Sequence, residues 1–357
     1  MKKKTLILGL SLVIVLIICA GVLYYFLNGN GNSKFISKKN KFDLNFIPVQ
    51  IGFNWGYIDK TGKIVINPQF QSEGYFISGL APVEIGYNWG YIDKTGKIVI
   101  NPQFQSADYF KDGLAPVEIG NKFGYIDKTG KIVINPQFQD EGDFEDGLAR
   151  VLIGFNWGYI DKTGKIVINP QFQSEGYFKD GLAQVEIGHK LGYIDKTGKI
   201  VINPQFQWAG YFINGLAPVE IGYKFGYIDK TGKIVINPQF KDEGDFEDGL
   251  ARVEIGNKWG YIDKTGKIVI NPQFQLAGYF KDGLAQVEIG NKWGFIDKTG
   301  KIVINPQFQW AGYFKDGLAP VLIGNKFGFI DKTGKIVINP QFYHIKWPRL
   351  ISSVVYN

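Results

Sequence analysis

Residues 56–70 read GYIDKTGKIVINPQF, and this stretch recurs nine times at a constant spacing of 34, with its first glycine at 56, 90, 124, 158, 192, 226, 260, 294 and 328. The only changes within it are Phe295 and Phe329, where the other copies carry Tyr. A fixed period of this length makes the chain a repeat array, in which each unit buries its apolar face only against its neighbours. It also argues against a single catalytic centre, because almost every residue exists in nine equivalent places.

A 34-residue period is shared with helical tetratricopeptide repeats, but the contents of the unit exclude helix. Each copy has several glycines, a central proline (Pro68 and its equivalents) and the β-branched run Ile64-Val65-Ile66. These residues disfavour helix and favour strand. The unit therefore reads as a three-stranded meander: 80–85, 89–93 and 97–101, the last ended by Pro102, with 103–113 as a looser connection. The strands carry apolar residues on both faces, so each small sheet must be covered on both sides, most simply by the sheets of adjacent repeats.

The ends of the array bear on its closure. A half unit at 42–52 aligns with 76–86 but has Asn45 for Gly79 and Phe46 for Leu80, and 343–357 loses the repeat pattern almost entirely. Terminal faces that meet water need atypical capping sequences. The expected fold is thus all-β: nine 34-residue meanders stacked in an open, twisted array over 42–342, with 343–357 as a degenerate C-terminal cap. A closed β-propeller is the alternative.

The N-terminus differs in kind. Lys2, Lys3 and Lys4 precede 5–27, 23 residues without a charge. As a helix these would span roughly 34 Å, enough for a bilayer's hydrocarbon core. Residues 1–27 are therefore expected to be an uncleaved, single-pass membrane anchor; a cleaved signal and lipidation at Cys19 are the alternatives. The lysines place the repeats on the extracytoplasmic side. Residues 28–41 read as a flexible basic stem.

Charge follows this division. The net charge is +7, and 1–41 holds seven lysines and no acid, leaving 33 basic against 33 acidic residues in the rest. A nucleic-acid partner would require a basic folded body, so none is expected.

Few residues suit catalysis. The one Cys lies in the apolar segment, and His189 and His344 occupy different settings, so no zinc cluster, other metal site or cofactor is expected. The repeated Asp59-Lys60-Thr61-Gly62 is a turn whose Asp bonds nearby amides. Asp140, Glu141, Asp143, Glu145 and Asp146 recur 102 residues later as Asp242, Glu243, Asp245, Glu247 and Asp248, followed by Arg150 or Arg252. They match no calcium-loop spacing and read as a paired, solvated loop. No enzyme activity is expected.

Variation among copies is concentrated in the connection. Trp208, Leu276 and Trp310, with Tyr211, Tyr279 and Tyr313, are the candidate ligand-binding residues, an aromatic strip suited to sugars or a protein partner. Trp55, Trp89, Phe123, Trp157, Leu191, Phe225, Trp259, Trp293 and Phe327 remain apolar in every copy and read as repeat core.

The recurrent Trp-Gly pair, the Tyr-Ile-Asp-Lys-Thr-Gly-Lys hairpin and the downstream Phe-x-x-Gly-Leu-Ala (110–115) resemble the bacterial WG-repeat family, also called KWG repeats, over about 42–342. The resemblance implies a β-rich module of often exported bacterial proteins, with no catalytic residues to carry over. The hairpin is loosely similar to those of choline- and glucan-binding repeats, which have a shorter period. The expected partner is an envelope protein, met by a non-catalytic interaction scaffold; a cell-wall polysaccharide is the alternative.

Overall fold

A computed structural model describes residues 43–347. The expected anchor (1–27) and stem (28–41) lie outside them, as does 348–357. Among the described residues there is no helix, and no helix long and apolar enough to cross a membrane.

Nine antiparallel sheets follow one another along the chain, here called blades 1–9. Blade 2 shows the pattern: strands Ser72–Glu73, Ala81–Ile85, Asn88–Ile92 and Ile98–Phe104, joined in that order. The unit thus has a fourth strand beyond the expected three. It is only two residues long and lies within the connection read as loose. Blade 5 has three strands, with the single bridge Glu175–Val185 where the short strand would be.

The Trp-Gly pair has a steric cause. Trp89 pairs with Phe104 and Tyr91 with Ile100, so the outer strand bulges around Pro102 opposite Gly90. A Cβ at Gly90 would lie 2.5 Å from Ile100 O and 2.7 Å from Pro102 N, and every equivalent glycine is equally crowded. The same proline removes a donor from the edge strand, which blunts it against pairing with another chain.

The core lies between blades. Tyr57, Ile66 and Phe70 of blade 1 pack with Phe76, Ala81, Val83 and Ile92 of blade 2. Tyr57 also donates its buried hydroxyl to Gly74 O of blade 2 at 2.7 Å. Blades 8 and 9, with Phe295 and Phe329, keep the ring contact but lack this bond. In the Trp55 column, Trp55, Trp89, Phe123, Leu191, Phe225, Trp293 and Phe327 lie half-buried against these clusters and Trp259 is buried within one. Trp157 is half-buried beneath the Arg150 guanidinium, 5.2 Å from its ring.

Of the two expected arrangements of the repeats, the structure has the closed propeller that stood as the alternative to the open array. Nine blades in an open stack share one interface fewer than their number, yet the ninth cluster joins Leu318, Phe329, Ile338 and Phe342 of blade 9 to Leu44, Ile47, Val49 and Ile58 of blade 1. Gly62 meets Ile338 of blade 9 as Gly96 meets Ile66 of blade 1. His344–Ile345 pairs with Ile47–Ile51 and supplies the first strand of blade 1. The two degenerate ends are complementary halves of one blade, so 343–347 closes a nine-bladed propeller ring where a solvent-facing cap was expected. The end sequences differ from the consensus because they meet each other in a seam that no other blade has.

Candidate binding surface

The meander puts its turns on two faces. On one face, the hairpin Asp59-Lys60-Thr61-Gly62 and its copies are closed by their own side chains. Asp59 Oδ1 accepts from Thr61 N (2.8 Å), Thr61 Oγ1 (2.6 Å) and Lys63 N (3.1 Å). The hydrogen bond from Thr61 leads the groups that hold this carboxyl below its ordinary range. The hairpin lysine then reaches the preceding blade: Lys128 Nζ donates to Ser78 O and Lys162 Nζ to Asp112 O. This latch face is polar and internally satisfied.

The opposite face carries the two-residue tips between second and third strands, together with the connectors between blades. Gln105 binds them together, its Oε1 accepting from Asn121 N and its Nε2 donating to Asn121 Oδ1, both at 3.1 Å. Glycine followed by Asn at left-handed φ is the ordinary solution for such a turn, as at Gly120-Asn121 and Gly256-Asn257. Tyr87 (φ 66°) and Tyr223 (φ 59°) adopt the same conformation although a bulky side chain is disfavoured there, and each is 84% exposed. Phe53 and Phe155 occupy the tips of blades 1 and 4 and are 95% exposed. None of these four is among the sequence-derived candidates; their signal is an aromatic at a turn position where the other copies carry Asn or His.

The six sequence-derived candidates do not form one strip. Trp208, Leu276 and Trp310 lie on the first strands of blades 6, 8 and 9, toward the tip face. Trp208 is half-buried and sets its edge on Phe225 (5.6 Å between centroids); Trp310 is partly open, edge-on to Phe327 (5.8 Å). Leu276 is exposed. Tyr211, Tyr279 and Tyr313 belong to a second row, with Tyr75, Tyr109, Asp143, Tyr177, Asp245 and Trp347, one from each blade. Tyr75 stacks on Tyr109 (5.9 Å), and Trp347 Nε1 donates to Tyr313 O (3.1 Å). A row at the shortest strand of each blade, with contacts running from blade to blade, lines the inside of the ring. Tyr211 and Tyr279 are half-buried there and Tyr313 is buried.

The acidic constellation is split in the same way. Three of its five carboxylates are engaged by separate lysines, Asp143 by Lys111 (2.6 Å), Glu145 by Lys179 (3.6 Å) and Asp146 by Lys196 (3.4 Å). Asp143 is buried, so the reading of a wholly solvated loop is corrected. Among the described residues no group of three or more His, Cys, Asp or Glu is arranged to hold a metal ion. Arg150 lies 4.4 Å from the Tyr177 ring and bonds Glu175 (2.9 Å), while Arg252 lies 4.5 Å from Tyr279 and donates to Ala277 O (2.7 Å). Glu175 is nevertheless pushed up to about 8, because burial outweighs its arginine.

Fold and surface together define a nine-bladed repeat ring with one latched face and one variable face. The WG containing repeat model matches nine successive segments: 55–89, 89–123, 123–154, 157–190, 192–225, 225–259, 259–293, 293–327 and 327–346. The chain belongs to the WG-containing repeat family. No curated protein matches it in sequence. Among solved structures, it is similar to a eukaryotic initiation factor at 10% identity and TM-score 0.62, covering 84% of this chain and 96% of that one. At this identity the likeness is one of fold alone. The dihydro-heme d1 dehydrogenase NirN (10% identity, TM-score 0.45, 87% and 76% covered) and Hsv2p of Kluyveromyces lactis (8%, 0.38, 63% and 91%) match more loosely.

Proposed function

We propose that this protein is a non-catalytic interaction scaffold of a bacterial envelope, held to the membrane by 1–27, that docks a protein partner on its tip face. The observation that carries this reading is the pair Tyr87 and Tyr223. Both accept a backbone conformation costly for their type, and both point their rings into solvent. Such an outlier does nothing for the turn, which Asn closes better in blades 3 and 7, and it is a reason to look for function. Exposed, rigid aromatics with a polar surround are the usual anchors of protein interfaces. The charge-free run at 5–27 behind three lysines supports the anchor and its orientation. Trp310, partly open at the same face, favours a cell-wall polysaccharide as the second reading.

The test is retention of the full chain by solubilised envelope proteins and by wall polymer from the source cell. A variant with Phe53, Tyr87, Phe155 and Tyr223 changed to Asn is expected to lose retention on a discrete protein and to fold normally. Retention on polymer that survives those changes and fails with Trp208→Ala and Trp310→Ala would establish the second reading. Retention on neither would reject both.

A further inference from the structure

Three slots between blades follow a longer period of 102 residues, through Trp55, Trp157 and Trp259 on one side and Glu73, Glu175 and Ala277 on the other. They lie between blades 1 and 2, 4 and 5, and 7 and 8. Each holds a cation over its indole: Lys346 over Trp55 (5.6 Å), Arg150 over Trp157 (5.2 Å) and Arg252 over Trp259 (4.8 Å). Pro48 stands at the place of Arg150 and Arg252 in blade 1; Lys346, whose amide donates to Pro48 O (3.2 Å), brings the cation there instead.

In two slots the cation holds an acid of the next blade. Lys346 Nζ lies 3.0 Å from Glu73 Oε1, and Arg150 Nη1 lies 2.9 Å from Glu175 Oε1; both acids are buried. In the third slot Ala277 replaces the acid and the cation remains. Arg252 Nη1 then donates to Ala277 O at 2.7 Å, where Arg150 Nη1 is 3.4 Å from Glu175 O. Arg252 Nε is buried without an acceptor, as is that of Arg150. Nη2, 3.5 Å from the Tyr279 hydroxyl, is thus the donor left for a further partner. Among the described residues Arg252 enters no ion pair, and Glu243 feels its charge only at longer range.

The surroundings fix the direction of approach. Trp259 is buried, where Trp55 and Trp157 are half-buried, and closes one side of the guanidinium. The Tyr279 ring, 4.5 Å away on the other, is half-buried in the row that lines the inside of the ring. A guanidinium stacked on aromatic rings keeps its donor fork in place for a planar, two-oxygen acceptor. We propose that Arg252, with Trp259 and Tyr279, forms a carboxylate-binding site reached from inside the ring, which takes from a ligand the group that Glu73 and Glu175 supply in the other two slots. The site is separate from the tip face and does not depend on a partner docking there.

The experiment is thermal melting of the full chain at neutral pH in sodium acetate and in sodium chloride of equal ionic strength. Acetate is expected to raise the melting temperature of the parent by roughly 2 °C. Arg252→Gln should abolish the rise. Ala277→Glu supplies the acid within the chain, so it should melt higher in chloride and gain nothing from acetate. Glu175→Ala empties the second slot of its acid and should gain more from acetate than the parent does. No rise in the parent, or a rise unchanged in Arg252→Gln and Ala277→Glu, would overturn the proposal. Saturation transfer from the parent to the acetate methyl group needs no variant to fold, and its absence would equally overturn it. An acetylated dipeptide with a free C-terminus, measured beside acetate, separates the sources of the group. Tighter binding of the peptide marks a chain terminus and tighter binding of acetate a free organic acid, either result upholding the site.

Discussion

The two faces of the ring solve the same problem, reversing a strand nine times, in opposite ways. On the latch face every reversal repeats Asp-Lys-Thr-Gly; the left-handed position is always glycine, and an aspartate satisfies the loop amides. On the tip face the left-handed second position holds Tyr, His or Asn depending on the blade, and aromatic tips stand almost free of contact. Where a face carries neighbouring blades, its turns hold still. Where it carries nothing within the chain, they vary and accept strain. The tip face is therefore the one left free to vary, and the one the proposed partner would meet.

Several substitutions would break or sharpen this contrast. The largest effect is expected from the four-site tip variant, which should weaken partner binding by a hundredfold or more, since hot-spot aromatics contribute about 2 kcal/mol or more each; calorimetric titration checks it. On the latch face, Gly96→Ala should destabilise by about 1–3 kcal/mol, because a Cβ there is strained by φ 85° and lies 3.1 Å from Ile66 Cγ2 of blade 1. The urea midpoint reads this. Tyr87→Asn should act with the opposite sign, raising stability by about 0.5–1 kcal/mol while lowering affinity. A gain in stability without loss of binding would remove the tip from the interface. The smallest effect is expected for Lys128→Met, which removes one exposed latch and should cost about 0.5 kcal/mol.

Acid should open the latch. The latch carboxyl of Asp59 lies below its ordinary value, led by the Thr61 hydrogen bond, so its support is present above the usual carboxylate range and is lost as pH falls through the lowered value. Amide exchange at Thr61 should accelerate there.

Much of this architecture is legible in the chain. The period, the strand content and the Asp-centred hairpin follow from residue types with strong local preferences. The cause of the glycine in the Trp-Gly pair, the bulge at Pro102, appears only in register. The short strand Ser72–Glu73 is missed because two residues make no periodic signal. Closure stands in the sequence only as the alternative, because degeneracy at each end looks like adaptation to water, while complementarity between residues near 47 and 345 has no local trace. Tyr211 and Trp208 stand three residues apart in sequence, yet one faces the inside of the ring and the other the tip face. Spacing within an irregular connection does not encode direction.

The seam at His344–Ile345 also sets what kind of change the ring can absorb. Each of the nine interfaces is formed by the same cluster of residues, and the seam matches only the two ends to each other. Removing or adding one whole 34-residue period would leave every contact type and the seam itself intact, altering only how far each blade turns toward the next. Removing any other length would misalign the ends. Circumference is thus a variable that the chain can change in single steps, while integrity depends on a count of residues that must stay whole.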